Sequence, residues 1–136
     1  MVDFVVFDDD LTFREMLRKG LLKHGLHCAG YGAVDEFVAS KQEAPEIFIV
    51  DLSMPDPTGV HWEFGGILNI ARIREIYGSD TPIWVLTGYE DTRIERECLR
   101  HGADKVILKR EGVMETAGDV SIHWTWRKKG NRRSFQ

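Results

Sequence analysis

Four short runs of this chain are almost purely apolar, and helix-like stretches separate them. "VDFVVF" (2–7), "EIFIV" (46–50), "PIWVL" (82–86) and "KVIL" (105–108) read as strands buried on both faces. A fifth and weaker strand is expected in "LHCAGY" (26–31). Between the first two, Phe13, Met16, Leu17, Gly20, Leu21 and His24 fall on one helical face, and Gly25 is a stop signal. "VDEFVASKQ" (34–42) predicts a short helix. "DTRIERECLRHG" (91–102) predicts an amphipathic one with Ile94, Cys98 and Leu99 inward. Two regions are less regular. In 59–80 the pair Gly65-Gly66 disfavours helix by roughly 1 kcal/mol per residue relative to alanine, so the helix proper is expected at about 67–77. Beyond Lys109, Val113, Ala117, Val120 and Trp124 fit a helical face, yet Val120, Ile122, Trp124 and Trp126 alternate as a strand would.

Strands alternating with helices imply βαβ units, a parallel sheet and right-handed crossovers with helices on both faces. Five strands suggest a doubly wound α/β fold, flavodoxin-like, of order 2-1-3-4-5. The expected division is one domain over 1–126, followed by 127–136 as a basic C-terminal tail or the start of a linker. A chain of 136 residues is too short for two cores.

Charge sharpens this picture. Net charge is −4, but five of the 18 Lys and Arg residues lie in 127–136, which holds no acid, so the body is strongly acidic. An acidic body makes nucleic acid an unlikely ligand of this domain. No apolar run approaches the roughly 20 residues of a membrane span, and no signal peptide precedes the first strand. Cys28 and Cys98 match no metal or redox spacing and read as buried thiols of a cytoplasmic protein. The five histidines show no metal spacing and read as surface or structural. Trp62, Trp84, Trp124 and Trp126 read as core or interface.

The chemistry gathers at strand ends. "VVFDDDLT" sets Asp8, Asp9 and Asp10 in a row. Two unit charges about 4 Å apart repel by about 4 kcal/mol at a surface-like dielectric. Such acids either point into water or, where they converge, hold a cation. In the 2-1-3-4-5 order the carboxyl ends of neighbouring strands carry Asp8 and Asp9, Asp51, Thr87 and Lys109, at the crevice where open α/β sheets bind ligands. Acids, a hydroxyl and an amine in one crevice suit phosphoryl transfer. Carboxylates hold a hard dication such as Mg²⁺, a carboxylate attacks phosphorus, and Thr and Lys stabilise the phosphoryl oxygens.

"VVFDDDLTFREML", "IFIVDLSMPDPTG", "PIWVLTG" and "HGADKVILK" together resemble the receiver domain (CheY-like) of bacterial two-component response regulators, over about residues 2–110. The resemblance implies that Asp51 is the phosphoacceptor and that Asp8, Asp9, Asp51 and the backbone carbonyl of Ser53 hold Mg²⁺. It implies Thr87 as the switch hydroxyl, Lys109 as the phosphate-pairing lysine, and Gly88 kept small for phosphate entry. Asp10 is then a helix cap or a solvated acid. Implied partners are a sensor histidine kinase or phosphotransfer protein, an effector domain or downstream protein, and a second copy in a homodimer. The only catalysis implied is the domain's own phosphorylation and dephosphorylation. Two positions depart from the family: Arg110 stands where Pro is usual, and Val106 stands where an aromatic switch residue is usual.

"VVFDDDLT" also matches the D-x-D-x-T signature of haloacid-dehalogenase-like phosphatases, with Asp8 as nucleophile, Asp10 as acid/base and Thr12 behind. Against that alternative, Asp119 is followed by His123 where a second acid is wanted, and "IVDLSMPDPTG" goes unexplained. A third reading is a protein-binding module of the same fold that is not phosphorylated.

Overall fold

Alternation within each apolar strand divides the core between two faces of a single sheet. The computed structural model describes residues 1–62 and 65–133. Five strands, β1 (Phe4–Phe7), β2 (Cys28–Tyr31), β3 (Ile47–Asp51), β4 (Ile83–Thr87) and β5 (Lys105–Leu108), alternate with α1 (Leu11–Lys23), α2 (Val34–Ser40), α3 (Gly65–Tyr77), α4 (Thr92–Arg100) and α5 (Val113–Arg133). All pairings are parallel and the order is β2-β1-β3-β4-β5, as the sequence predicts. Val5, Phe7, Phe48, Val50, Ile83 and Val85 face α2, α3 and α4, whose Phe37, Ile70, Ile73, Ile94 and Cys98 complete one core. Phe4, Val6, Ile47, Ile49, Trp84 and Leu86 face the other way, onto Leu17 and Leu21 of α1 and Ala117 and Val120 of α5. Successive side chains of a strand point to opposite faces, so a strand covered on both sides must be apolar throughout.

The helix faces depart from expectation in detail. Leu17, Gly20 and Leu21 of α1 are buried, but Met16 is exposed and His24 lies on the surface as the C-cap. Ile94 and Cys98 of α4 point inward, whereas Leu99 is exposed. The chain is helical from Gly65, not Ile67. A Cβ on Gly66 would sit 2.4 Å from the Leu52 carbonyl oxygen, and the Gly66 amide donates to that oxygen at 3.1 Å. Glycine here permits close approach to the turn after β3, which outweighs its poor helix propensity. The C-terminal ambiguity resolves as helix. α5 runs on through residues 127–133 of the basic segment, and residues 134–136 lie outside the described ones. Trp84 and Trp124 pack in the core, while Trp62 and Trp126 are exposed. Both cysteines are free thiols, and burial pushes Cys28 up to about 12 and Cys98 to about 11, so both are protonated and inert.

Arg74 of α3 ties the amino ends of β4 and β5 together. Its guanidinium donates to the carbonyls of Gly102, Gly78 and Thr81 and pairs with Asp104 at 2.6 Å, and Asp104 in turn accepts the Ile83 amide at 2.8 Å. That end of the sheet is occupied by structural bonds. The carboxyl ends are left for chemistry.

Candidate functional site

β1 delivers three aspartates, and the backbone sends each to a different place. The Asp8 amide extends the strand by donating to the Tyr31 carbonyl at 3.1 Å, which turns the Asp8 side chain inward. Asp8 is 1% exposed. Its Oδ1 accepts the Asp10 amide at 2.9 Å, and Arg14 holds the Asp8 carbonyl at 2.9 Å. Asp10 is the N-cap of α1, its carboxylate accepting the Phe13 amide at 3.1 Å. Asp10 is thus a helix cap, and its side chain is also exposed to solvent. Asp9, between them, stays partly exposed and lies 3.1 Å from His61 Nε2 through its Oδ2.

Asp51 closes β3 and is buried. Lys109, just past β5, places Nζ 2.8 Å from Asp51 Oδ1. That contact lacks hydrogen-bond angles, so Oδ1 is held by charge alone. The Ser53 hydroxyl donates to Asp51 Oδ2 at 2.7 Å. Ser53 is thus at the site, and the contact observed is through its side chain rather than the backbone carbonyl that the resemblance implies. Lys109 is fixed from two sides: its amide donates to the Thr87 carbonyl at 2.7 Å, and its ammonium sits 4.3 Å from the centre of the Phe13 ring. Thr87, buried at the end of β4, accepts the Tyr89 amide at 3.1 Å through its hydroxyl. Asp51, Ser53, Thr87, Gly88, Tyr89 and Lys109 line one open cavity of about 370 Å³. A Cβ on Gly88 would meet nothing within 4 Å, consistent with an open approach at that point.

The electrostatics are those of a site short of positive charge. Ligand atoms of Asp8, Asp9 and Asp51 all lie within 4.8 Å of one another. Burial, and next the charge of Asp51, pushes the Asp8 carboxyl up to about 7. Asp8 Oδ2 is buried with no hydrogen-bond partner among the described residues. Such an orphan carries a desolvation cost that a cation would remove. Three hard oxygen donors and one unpaired buried oxygen fit a hard dication such as Mg²⁺.

Residues 4–117 match the family model of the response regulator receiver domain. The chain belongs to this family. The receiver domain is 28% identical over 112 residues to the DNA-binding transcriptional regulator NtrC of Proteus hauseri, a match covering 82% of this chain and 22% of that protein. The response regulator DrrB of Thermotoga maritima, an OmpR/PhoB homologue, superposes with a TM-score of 0.71 at 19% identity, over 93% of this chain and 54% of DrrB. A CheY-like receiver domain protein from Methanospirillum hungatei superposes with a TM-score of 0.68 at 17% identity, over 93% and 96% of the two chains. At these identities the solved structures show the fold. This receiver domain spans about a fifth of the length of the NtrC it matches and about half that of DrrB. Among its described residues no helix is long and apolar enough to cross a membrane.

Both departures from the family have a local structural counterpart. The Arg110 amide, which proline would lack, donates to the hydroxyl of buried Thr116 at 2.9 Å, and that hydroxyl donates to the Gly112 carbonyl at 3.2 Å. This pair fixes the entry to α5. Val106 lines a second cavity of about 280 Å³ together with Thr87, Tyr89 and Glu95. Sequence reasoning read His61 only as a surface or structural histidine and missed its contact with Asp9. It sits 52 residues from Asp9, so no spacing motif links them.

Proposed function

We propose that this receiver domain is a phosphoryl-accepting switch that takes its phosphoryl group on Asp51 from a sensor histidine kinase or phosphotransfer protein. The observation that carries this reading is the pairing of buried Asp51 with Lys109 at 2.8 Å beside two further aspartates. Asp8, Asp9, Asp51 and the Ser53 carbonyl would hold Mg²⁺, which when bound neutralises the acids and draws in the anionic phosphate. An Asp51 carboxylate oxygen forms the new bond to phosphorus as the donor's P–N bond breaks, and the leaving imidazole keeps that electron pair and takes a proton. Lys109 moves from the carboxylate to a phosphoryl oxygen, and the Thr87 hydroxyl donates to another. Water later cleaves the acyl phosphate, with Tyr89 at the cavity mouth limiting its access. The domain catalyses only these two steps on itself.

The domain proper is read as 1–126 and 127–136 as a basic C-terminal tail or the start of a linker, with an effector domain or a downstream protein as the expected partner of output. Free thiols and the family's signalling role support a cytoplasmic setting, and homodimerisation is a further expected mode of output.

Position of the label tests the reading. Incubation with Mg²⁺ and acetyl phosphate, borohydride trapping and peptide mass spectrometry should place the modification on Asp51. Asp51→Asn should abolish it, and Asp8→Asn should slow it without moving it. A label on Asp8 that survives Asp51→Asn would make the protein a phosphohydrolase instead.

A further inference from the structure

His61 is the side-chain hydrogen-bond partner of Asp9 among the described residues, at 3.1 Å through Nε2. It is mostly exposed, and packing alone does not hold it there. A small hydrogen-bonded loop does. Asp56 Oδ1 accepts the Thr58 amide at 2.9 Å, the Thr58 hydroxyl at 2.6 Å and the Val60 amide at 3.1 Å, and Oδ2 accepts Trp62 Nε1 at 2.8 Å. The Asp56 amide donates to the Val60 carbonyl at 3.0 Å, and Gly59 takes the left-handed conformation (φ 88°) that this tight turn requires. The Thr58 hydroxyl and the Trp62 indole lead the bonds that hold the Asp56 carboxyl down at about 2, so the hub stays ionised. His61 stands between two residues anchored to this hub and is aimed at Asp9.

His61 is not in the carboxylate set itself. The side chains whose ligand atoms all lie within 4.8 Å of one another are Asp8, Asp9 and Asp51. A ring nitrogen bonded to one carboxylate oxygen, outside that set, has the placement of an outer-shell group. Such groups fix the orientation of a metal-binding carboxylate and typically shift metal affinity by about 10- to 100-fold. The acid set has an independent sign of affinity for a cation in Asp8 Oδ2, which is buried and has no hydrogen-bond partner among the described residues.

We propose that His61 is a positioning residue that orients Asp9 for the divalent cation and couples the 56–62 loop to occupancy of the cation site. The inference rests on the cation reading given under Proposed function. The loop's Trp62 lines the groove between α3 and α4 together with Ile67, Leu68 and Ile94.

Mn²⁺ binding to the full chain, followed by the electron paramagnetic resonance of the free ion, measures the role directly. Mg²⁺-induced amide shifts provide the second readout. His61→Ala should weaken Mn²⁺ by about 10-fold. His61→Gln, whose amide nitrogen reaches a similar position, should restore most of that loss. In His61→Ala the Mg²⁺-induced shifts at residues 58–62 should vanish while those at 8–10 and 51–53 persist. Affinity equal to the parent in His61→Ala, with binding lost in Asp9→Asn, overturns the role of His61 and leaves the cation site standing. Undiminished binding in both variants overturns the cation reading and this inference with it.

Discussion

At the scale of single residues, the site is a set of groups held against their own preferences. Asp8 is the plainest case. Its carboxyl is buried against Asp51, and one oxygen has no partner. Its pKa rises from 3.8 to about 7, with burial as the larger cause and the charge of Asp51 next. The folded value lies above the unfolded one, so between pH 4 and 7 the folded state keeps a proton that the unfolded chain has released. Stability of the metal-free protein should therefore be greatest near pH 4 on this account and fall as pH rises toward 7, by at most a few kcal/mol. Urea midpoints measured in chelator across pH 4–8 should show that fall in the parent and lose it in Asp8→Asn. Saturating Mg²⁺ at pH 7.5 should recover the parent's lost stability. Equal slopes in parent and variant would mean that Asp8 titrates normally. Lys109 relieves Asp8 only in part: its charge lowers the Asp8 pKa, but less than burial and Asp51 raise it, and its ammonium sits 2.8 Å from Asp51.

At the scale of elements, legibility followed burial. β1, β3 and β4 are enclosed on both faces, and their unbroken apolar runs could be read directly. The acids, hydroxyl and amine at the strand ends were legible for the same reason, since strand ends are fixed once strands are. Two things were not visible. Local propensity put the start of α3 too late, because the glycine pair serves a tertiary contact with Leu52 that has no trace in helical periodicity. The contact between His61 and Asp9 joins two loops distant in sequence, and only the folded order of strands brings them together. α5 was ambiguous because residues 120–126 satisfy both periods, and the burial of Ala117 and Val120 against α1 decides for helix. The Gly66 argument is testable. Gly66→Ala should destabilise by about 1–3 kcal/mol, as overpacking against backbone does, although alanine favours helix intrinsically. Gly118→Ala, where a Cβ meets nothing within 4 Å, should be neutral or stabilising in the same urea titration. A stabilised Gly66→Ala would show that the α3 entry relaxes freely.

At the scale of the whole molecule, the question is how a change at Asp51 leaves the site. In the family an aromatic ring at the position of Val106 changes its burial on phosphorylation, and valine has no ring to move. Val106 instead borders a cavity shared with Thr87, Tyr89, Glu90, Asp91 and Thr92. Thr87 touches both this cavity and the one over Asp51. Its hydroxyl is bonded to the Tyr89 amide in the unphosphorylated structure. On the proposed function, turning the Thr87 oxygen toward a phosphoryl group would change that contact and move the 88–92 segment, whose Asp91 caps α4 by accepting the Arg93 amide at 2.8 Å. The cavity beside Val106 leaves the segment room to move, so on the proposed function the signal should pass along the backbone into the first turn of α4. Hydrogen exchange with and without beryllofluoride and Mg²⁺ should therefore show altered protection at 88–92 and the start of α4, with β5 little changed. Thr87→Ala should remove that response while leaving Asp51 able to accept a phosphoryl group more slowly. Changes confined to the α1–α5 face, or an undiminished response in Thr87→Ala, would place the output path elsewhere.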